Sequence, residues 1–375
     1  MASKLRAAVI GCGSMGVHHT RGYLDTGRFE IAAISDMNPD VLDEMDARFG
    51  ADENYCPDRF TDPNRMLDSQ TFDVVSVCTW HREHAVWTIA AATRKPGIII
   101  SEKPMAEDLG RAEEMRTVCE RNGVKLAIAH QRRFLPSYVL ARQMIADGVI
   151  GDVELMYSSA GWGLPNWSSH HADMYRFLLQ DECAWVMGAV TRTTDRMERG
   201  TRIEDGAMAV FQFKRGTRCV LLSDVTGEIY QGASIYGSEG IIDLLPERVR
   251  VSGPDTGGQW ITHAPNGRFY NVDSDNFEYV EGAAAQANEL ANWAEGKIDV
   301  YRGEALNGYK ALEMIMAVYE SARLHEHVFL PLKTKVNPLD VMVEQGHLPV
   351  VYPGTYDIRG FKLHGENTLY DRAGG

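Results

Sequence analysis

The chain lacks the features that mark membrane-spanning, secreted or nucleic-acid-binding proteins. It contains no run of about 18 apolar residues, so no transmembrane helix is expected. Its first residues lead into a strand-like stretch without the apolar region and cleavage site of a signal peptide. The 38 Lys and Arg residues are outnumbered by 52 Asp and Glu, giving a formal net charge of −14. This charge argues against a nucleic-acid partner or an anionic membrane surface.

Cysteine pairs are also missing. The six cysteines are scattered, and none forms a C-x-x-C pair. A chain of this size does not need disulfides to stabilise its core, so we expect reduced thiols and a cytoplasmic protein. Cys78, His81 and His84 are close in sequence, but they lack the second ligand pair that completes a structural zinc site. No metal is therefore expected.

The length of 375 residues, with 44% apolar and 24% charged residues, predicts a globular protein of about two domains. Up to residue 130, short apolar runs typical of buried strands alternate with segments of helical spacing. The predicted strands cover 6–10, 29–35, 72–79, 98–101 and 124–130. The first predicted helix follows a glycine-rich segment and ends at Thr26, and the others cover 39–49, 84–93 and 109–122. This alternation indicates βαβ units and a parallel sheet.

After residue 150 the pattern changes to alternating apolar and polar residues. The predicted strands there cover 153–159, 207–213, 218–224, 233–236 and 248–252. Turn signals separate them, which indicates a sheet built largely from antiparallel hairpins. Helices are predicted over 174–179 and 305–324, and residues 336–375 are expected to form an irregular tail.

A glycine-rich segment follows the first predicted strand and opens a helix. Its sequence is Gly11-Cys12-Gly13-Ser14-Met15-Gly16, a G-x-G-x-x-G pattern. Glycines at these positions allow a tight turn, a close backbone approach to a pyrophosphate, and close packing of helix on strand. The helix N-terminus then offers unpaired N–H groups to the phosphates. The alternative is a glycine-rich turn without a ligand.

Asp36 lies at the end of the second predicted strand, about 20 residues beyond the glycines. An acidic residue there can bind the hydroxyls of an adenosine ribose, and its charge repels a 2′-phosphate. The neighbouring residues 35–38 include no Arg or Lys. NAD is therefore favoured over NADP, although Asp36 could also simply start the turn before Pro39.

Five segments of the chain resemble the glucose–fructose oxidoreductase/inositol dehydrogenase (Gfo/Idh/MocA) family. They are GCGSMG with His18-His19 behind it, CTWHREHA at 78–85, SEKPM at 101–105, HQRRFLP at 130–136 followed by ADGVIGDV at 146–153, and HHADMYRFLL at 170–179. Their order and spacing make the resemblance specific, and it covers most of the first 330 residues.

The resemblance implies an α/β protein with a doubly wound Rossmann domain over 1–130. It also implies a C-terminal α/β domain with an open, mostly antiparallel sheet over 131–335. The outer face of that sheet is expected to form a homo-oligomer, a dimer or tetramer. The implied reaction is NAD-dependent hydride transfer to or from a secondary alcohol of a sugar or cyclitol.

Lys103 directly follows a predicted strand, at the sheet edge where ligands bind. A lysine there can donate a hydrogen bond to the reacting hydroxyl, or transfer a proton if it is desolvated. By resemblance, Glu102-Lys103-Pro104 supplies this residue, and Thr79, Trp80, His84 and Glu102 join the glycine segment and Asp36 in binding the cofactor. The alternative is an ordinary surface lysine.

His170 stands three residues before Asp173, the His-x-x-Asp spacing of the family's active-site helix. A histidine suits general base catalysis on an alcohol, and the adjacent His171 is expected to face the substrate. The chain departs from the family pattern at three positions. It has Asn166 where the family usually has Asp, Ser168 where Gly is common, and Trp80 where Pro is common. Asn166 can orient a hydroxyl but cannot accept a proton, so an Asp/His relay is in doubt.

Two kinds of side chain are candidates for binding the substrate. Trp162 and Trp167 could stack on a sugar ring, or they could pack in a domain interface. Arg132 and Arg133 could hold an anionic group of the substrate, or they could pair with a local carboxylate.

Three functions compete at this level. The first is an NAD-dependent sugar or cyclitol dehydrogenase. The second is a glycosidase that oxidises C3 of the sugar transiently, eliminates the aglycone, adds water and reduces the sugar again. The third is an NAD-binding sensor without catalysis. Net NADH, aglycone release without net NADH, or binding alone would distinguish them.

Overall fold

The computed structural model describes residues 4–226, 232–265 and 280–354, with two short paired segments at Lys362–Leu363 and Glu366–Asn367. None of the helices in these residues is long and apolar enough to cross a bilayer. All six cysteines lie in the described range as free thiols, and only Cys56 is well exposed.

The N-terminal part is a parallel sheet of six strands. They are β1 Leu5–Ile10, β2 Phe29–Ser35, β3 Tyr55–Phe60, β4 Val74–Val77, β5 Ile98–Ser101 and β6 Lys125–Ile128, in the order β3-β2-β1-β4-β5-β6. The order reverses beside β1, which opens a crevice at the carboxyl ends of β1 and β4. This confirms the predicted doubly wound domain.

Helices cross over between these strands. They are α1 Ser14–Thr26, α2 Pro39–Phe49, α3 Pro63–Ser69, α4 Glu83–Ala92 and α5 Leu109–Asn122. The sequence pattern missed β3 and α3. The strand is a largely exposed edge strand with a Pro and an Asp, so it has no buried apolar run. The helix is short, although the side chain of Asp62 caps it and Pro63 begins it.

The C-terminal part is built on a mixed sheet of nine strands. They are β7 Val153–Ala160, β8 Cys183–Thr191, β11 Gly206–Phe213, β12 Arg218–Ser223, β13 Ala233–Gly237, β14 Ile241–Leu245, β15 Arg248–Ser252, β16 Ile261–His263 and β17 Val328–Phe329. Their order is β16-β15-β14-β13-β7-β12-β11-β8-β17. Only the β7–β12 pair is parallel, so the expected open, mostly antiparallel sheet is confirmed. A separate small hairpin joins β9 Met197–Glu198 to β10 Thr201–Arg202.

Five more helices complete the described chain. They are α6 Pro136–Ala146, α7 Ser169–Leu179, α8 Val280–Ala294, α9 Ala305–Leu324 and α10 Pro338–Glu344. The predicted bounds of α9 are confirmed, whereas α7 begins five residues before the predicted start, at Ser169 rather than Met174. Residues 169–173 are mostly polar, so the apolar pattern begins only at Met174, although every residue of α7 is buried. Helix α10 lies where the sequence predicts an irregular tail.

Helix α8 is late in the chain, yet it packs against α1 of the parallel sheet. The contact is close because Gly22 has no side chain. A Cβ at Gly22 would lie 2.8 Å from the carbonyl oxygen of Ala283 and 3.0 Å from its Cβ. The segment therefore returns to the parallel sheet before α9 begins.

We expect Gly22→Ala to destabilise the protein by about 1–2 kcal/mol. Overpacking costs roughly 1–3 kcal/mol and outweighs a gain of up to about 1 kcal/mol in helix propensity. Gly110→Ala is the matched control, because a Cβ at this helical glycine would meet its nearest neighbour at 3.4 Å. Chemical denaturation measures both variants. Equal stability of the two would contradict the close α1–α8 contact.

Candidate active site

The glycine segment forms the turn from β1 into α1. Gly11 has a φ of +86°, and a Cβ there would lie 2.7 Å from the carbonyl oxygen of Cys78. A Cβ at Gly16 would lie 2.2 Å from the carbonyl oxygen of Gly11. At Gly13, which caps α1, a Cβ would meet nothing within 4 Å. The segment thus leaves open space at a helix N-terminus that begins with the exposed Ser14 and the half-buried Met15. That space fits a pyrophosphate.

The carboxylate of Asp36 is held beside this turn. One oxygen accepts a hydrogen bond from the backbone N–H of Cys12 at 2.8 Å, and the other accepts from the N–H of Asn38 at 2.9 Å. Asp36 remains half-buried, at the end of β2. A carboxylate fixed here fits the ribose of a dinucleotide whose pyrophosphate lies on α1.

The loop after β4 contains Thr79, Trp80 and His84. His84 is buried, and its Nδ1 lies 2.8 Å from the carbonyl oxygen of Pro104 while its Nε2 lies 3.0 Å from that of Thr79. Burial lowers the pKa of His84. Both ring nitrogens face backbone carbonyls, so His84 links the loop after β4 to the loop after β5.

Glu102 lies under the loop after β5 and is almost fully buried. Its Oε1 is 3.1 Å from Nε2 of His19, and its Oε2 accepts a hydrogen bond from the N–H of Lys103 at 3.2 Å. Burial alone would raise its pKa, but His19 and Lys103 outweigh burial and lower the pKa of Glu102 to about 2. Glu102 is therefore a buried anion that supports Lys103, and His19, which the resemblance includes without a role, is its partner.

Lys103, in the loop after β5 of the parallel sheet, contacts Asn166, which lies in the C-terminal part of the chain. Its Nζ donates to Oδ1 of Asn166 at 2.8 Å, and it also lies 3.4 Å from the Asn166 carbonyl oxygen. Asn166 sits in a single π-helical turn, Leu164–Ser168, directly before α7. Its Nδ2 donates to Oε1 of Glu198 at 2.7 Å. Glu198 is fully buried and lies on the small hairpin, a position that no sequence pattern marked.

His170 and the unpredicted His130 form a second part of the site. Their ring centroids are 5.9 Å apart in an edge-to-face arrangement. Burial lowers the pKa of His130 to about 4, although Oδ2 of Asp173 lies 3.9 Å from its Nδ1. Burial, followed by the charges of Arg132 and Lys103, lowers the pKa of His170 well below its ordinary value of 6.5. His170 is therefore neutral near pH 7.

Asp173 and Arg133 pair with each other. Arg133 donates from Nε at 2.7 and 3.0 Å and from Nη2 at 2.7 Å, and its Nη1 donates to the carbonyl oxygen of Arg302 at 3.0 Å. Both side chains are buried. Although burial opposes it, Arg133 lowers the pKa of Asp173 below its ordinary value. Of the two alternatives for Arg133, the structure shows the local carboxylate partner, and Asp173, which lies by resemblance on the active-site helix, anchors α7 through this pair.

The other substrate candidates lie around the same turn. The guanidinium of buried Arg132 is 5.6 Å from the ring centroid of Trp167, and the rings of Trp162 and Trp167 are 5.8 Å apart. His171 is fully buried, with its Nδ1 3.2 Å from the carbonyl oxygen of Trp167. Both tryptophans are half-buried, which leaves ring surface available to a ligand. Lys103 is close enough to His170 to contribute to the lowering of its pKa.

No group of three or more His, Cys, Asp or Glu side chains within the described ranges is arranged to hold a metal ion. His81, one of the three ligand candidates in the sequence, has Glu198 beside it, with Nδ1 and Oε2 4.0 Å apart.

Comparison with known proteins agrees with this geometry. Residues 5–130 match the Gfo/Idh/MocA oxidoreductase family with an NAD-binding Rossmann fold, and residues 138–243 match the C-terminal domain of the same family. D-apiose dehydrogenase of Rhizobium rhizogenes is 26% identical over 275 residues, which are 68% of this chain and 77% of that protein. Inositol 2-dehydrogenase of Rhizobium meliloti is 24% identical over 305 residues, 77% of this chain and 87% of that protein.

Solved structures share the fold. An oxidoreductase from Agrobacterium radiobacter, in complex with NAD⁺, L-tartaric acid and magnesium, has a TM-score of 0.73 at 22% identity and covers 87% of this chain and 98% of its own. Levoglucosan dehydrogenase, in complex with NADH and levoglucosan, has a TM-score of 0.74 at 21% identity and covers 88% of this chain and 100% of its own. With both domains matched in order, the chain belongs to the Gfo/Idh/MocA family of oxidoreductases and carries that family's NAD-binding Rossmann domain.

Proposed function

We propose that this protein oxidises or reduces a secondary alcohol of a sugar or cyclitol with NAD. The observation that carries the proposal is the buried Lys103 ammonium at the end of β5, bound to Asn166 and close to a neutral His170. The sugar and cyclitol dehydrogenases among the relatives support this class of substrate. In the oxidative direction the alcohol carbon loses a hydride and the hydroxyl loses a proton, which leaves a ketone.

Lys103 and His170 have different roles at the reacting hydroxyl of the substrate. When NAD is bound, its nicotinamide supplies the hydride acceptor. Lys103 donates a hydrogen bond to the substrate oxygen and stabilises negative charge on it. His170 accepts the proton, since its lowered pKa leaves the imidazole neutral. Asn166 orients Lys103 and takes no proton.

The substrate lies, in this proposal, between the nicotinamide and the turn before α7. Trp167 and Trp162 provide aromatic faces for the ring of a sugar or cyclitol. Arg132 adds a buried positive charge close to His170, which suits an electronegative or anionic substituent. Arg133 is not part of this set, because Asp173 and the Arg302 carbonyl occupy its donors.

We also propose a homo-oligomer, a dimer or tetramer, formed through the outer face of the mixed sheet. This face presents exposed large apolar side chains, namely Met187, Met208, Tyr236 and Phe329. The opposite face is covered by helices, including α9 on β8. An apolar sheet face left in water favours association. Sedimentation analysis should show a dimer or tetramer at micromolar concentration, and a monomer there would contradict the proposal.

We expect Asp36→Ala to weaken NAD binding by roughly 10- to 100-fold, since it removes a charged hydrogen-bond acceptor, and to reduce the preference for NAD over NADP. Titration of both dinucleotides measures the effect. Asp43→Ala is the matched control, because this exposed carboxylate of α2 pairs with Arg59 instead. Tighter binding of NADP than NAD by the native protein would refute the assignment of Asp36.

The reaction itself is tested with NAD and a panel of inositol, D-apiose, levoglucosan and D-glucosides. We expect NADH to accumulate with at least one polyol, and Lys103→Ala and His170→Ala each to lower turnover by roughly 10²–10⁴-fold while binding NAD. Because the base acts as neutral imidazole and its pKa is lowered, the rate should fall only well below pH 6.5.

Three results would contradict the proposed function or these residue roles. Aglycone release without net NADH would indicate a glycosidase, and binding without either product would indicate a sensor. Turnover near the native level in Lys103→Ala or His170→Ala would remove that residue from the reaction.

A further inference from the structure

We propose that Glu198 is a positioning residue that acts on Lys103 through the amide of Asn166. The inference deepens the proposed function and rests on it only in assigning Lys103 to the substrate oxygen. Lys103, Asn166 and Glu198 form a continuous hydrogen-bonded row, with separations of 2.8 and 2.7 Å. All three side chains are buried.

The donors and acceptors along this row admit one orientation of the amide. An ammonium can only donate and an ionised carboxylate can only accept. Glu198 therefore binds the NH₂ group of Asn166, which leaves Oδ1 facing Lys103. A rotated amide would place two donors together at Lys103 and two acceptors together at Glu198. The carboxylate thus fixes the atom that holds the lysine.

Glu198 also contributes charge. A buried carboxylate near an ammonium favours the protonated lysine, because neither charge is screened by water. Arg199 Nε lies 3.7 Å from Oε1 of Glu198, and His81 Nδ1 lies 4.0 Å from Oε2, so the carboxylate has cationic or neutral neighbours on its own hairpin and on the loop after β4.

Other titratable groups near Lys103 include Glu102, His130 and His170. The two histidines are shifted towards their neutral forms, and Glu102 is an anion. Glu198 then acts on Lys103 together with the anion Glu102, through the hydrogen bonds of Asn166. Its expected effect is to keep Lys103 a hydrogen-bond donor while His170 remains the base.

The test measures the pKa of Lys103 without any substrate. The full-length protein is labelled with a limiting amount of acetic anhydride between about pH 8 and 11, and acetylation of the Lys103 peptide is quantified by mass spectrometry. We expect Glu198→Gln to lower the apparent pKa of Lys103 by about one unit, which makes Lys103 roughly tenfold more reactive below that pKa. An unchanged pKa in the folded variant would overturn the proposal.

The matched control is Glu313→Gln. Glu313 is also a buried glutamate, but it accepts hydrogen bonds from Lys310 at 2.8 Å and from the N–H of Leu332 at 3.0 Å. We expect no change in the pKa of Lys103 in this variant. A similar shift in both variants would mean that the effect is a general loss of packing, and would contradict a specific link from Glu198. Thermal unfolding and NAD binding report whether each variant is folded.

A charge swap provides a second test that remains available if Glu198→Gln does not fold. Asn166→Asp combined with Glu198→Gln keeps one carboxylate and one amide in the row, in exchanged positions. The carboxylate then lies directly against Lys103 instead of beyond the amide, so we expect the pKa of Lys103 to be at or above the native value and turnover to exceed that of Asn166→Asp alone, where two carboxylates compete for one proton. A fall of about one unit or more below the native pKa in the swapped protein would overturn the proposal, because a carboxylate in this row would then fail to favour the protonated lysine.

The pKa measurement separates this inference from the proposed function. A native protein that produces no NADH with any polyol, but whose Lys103 responds to Glu198→Gln as expected, would refute the function and support the link. Turnover in the native protein with an unresponsive Lys103 would do the reverse.

Discussion

All eleven residues of α7 are buried, so each polar side chain on this helix must find its partner inside the protein. Asp173 finds Arg133, in the 3₁₀ turn that follows β6. Removing one partner of such a buried pair typically costs about 3–5 kcal/mol, so the pair holds the helix firmly against the end of the parallel sheet. His170, less than one turn away, is consequently fixed at the carboxyl edge of that sheet. The position of the proposed base follows from this anchoring.

The turn before α7 is fixed by similar means. The N–H of Leu164 donates to the buried Glu204 at 2.7 Å, and the other oxygen of Glu204 accepts from the hydroxyl of Tyr319 at 2.5 Å. This support comes from the mixed sheet and α9, while Lys103 comes from the parallel sheet. The hydrogen bond from Lys103 to Asn166 therefore joins side chains that are positioned by different sheets. A site assembled in this way is sensitive to packing between the two halves of the chain.

The charges around the site favour a protonated Lys103 and a neutral His170, although the two side chains lie close together. Burial lowers the pKa of both histidines, and for His130 it outweighs the opposing effect of Asp173, whose Oδ2 lies 3.9 Å from its Nδ1. Glu102 is ionised beneath Lys103, and His170 instead faces the cationic Arg132. A cationic donor and a neutral base can therefore coexist near pH 7, which is what oxidation of an alcohol requires.

The sequence by itself was sufficient for the features that depend on local patterns. The βαβ alternation, the glycine turn, Asp36 at the end of β2 and the bounds of α9 all follow from residue spacing, because short-range backbone geometry produces them. Edge strand β3 lost that signal because it has no buried apolar run, and the start of α7 was missed because its first residues are mostly polar in sequence although they are buried. Only the tertiary structure decided which polar groups meet. Arg133 pairs with Asp173, 40 residues away, and Glu198 reaches Asn166 from a two-residue strand, 32 residues on. These pairs form because buried charged and polar groups need hydrogen-bond partners. The spacing of residues along the sequence does not predict which buried groups will meet.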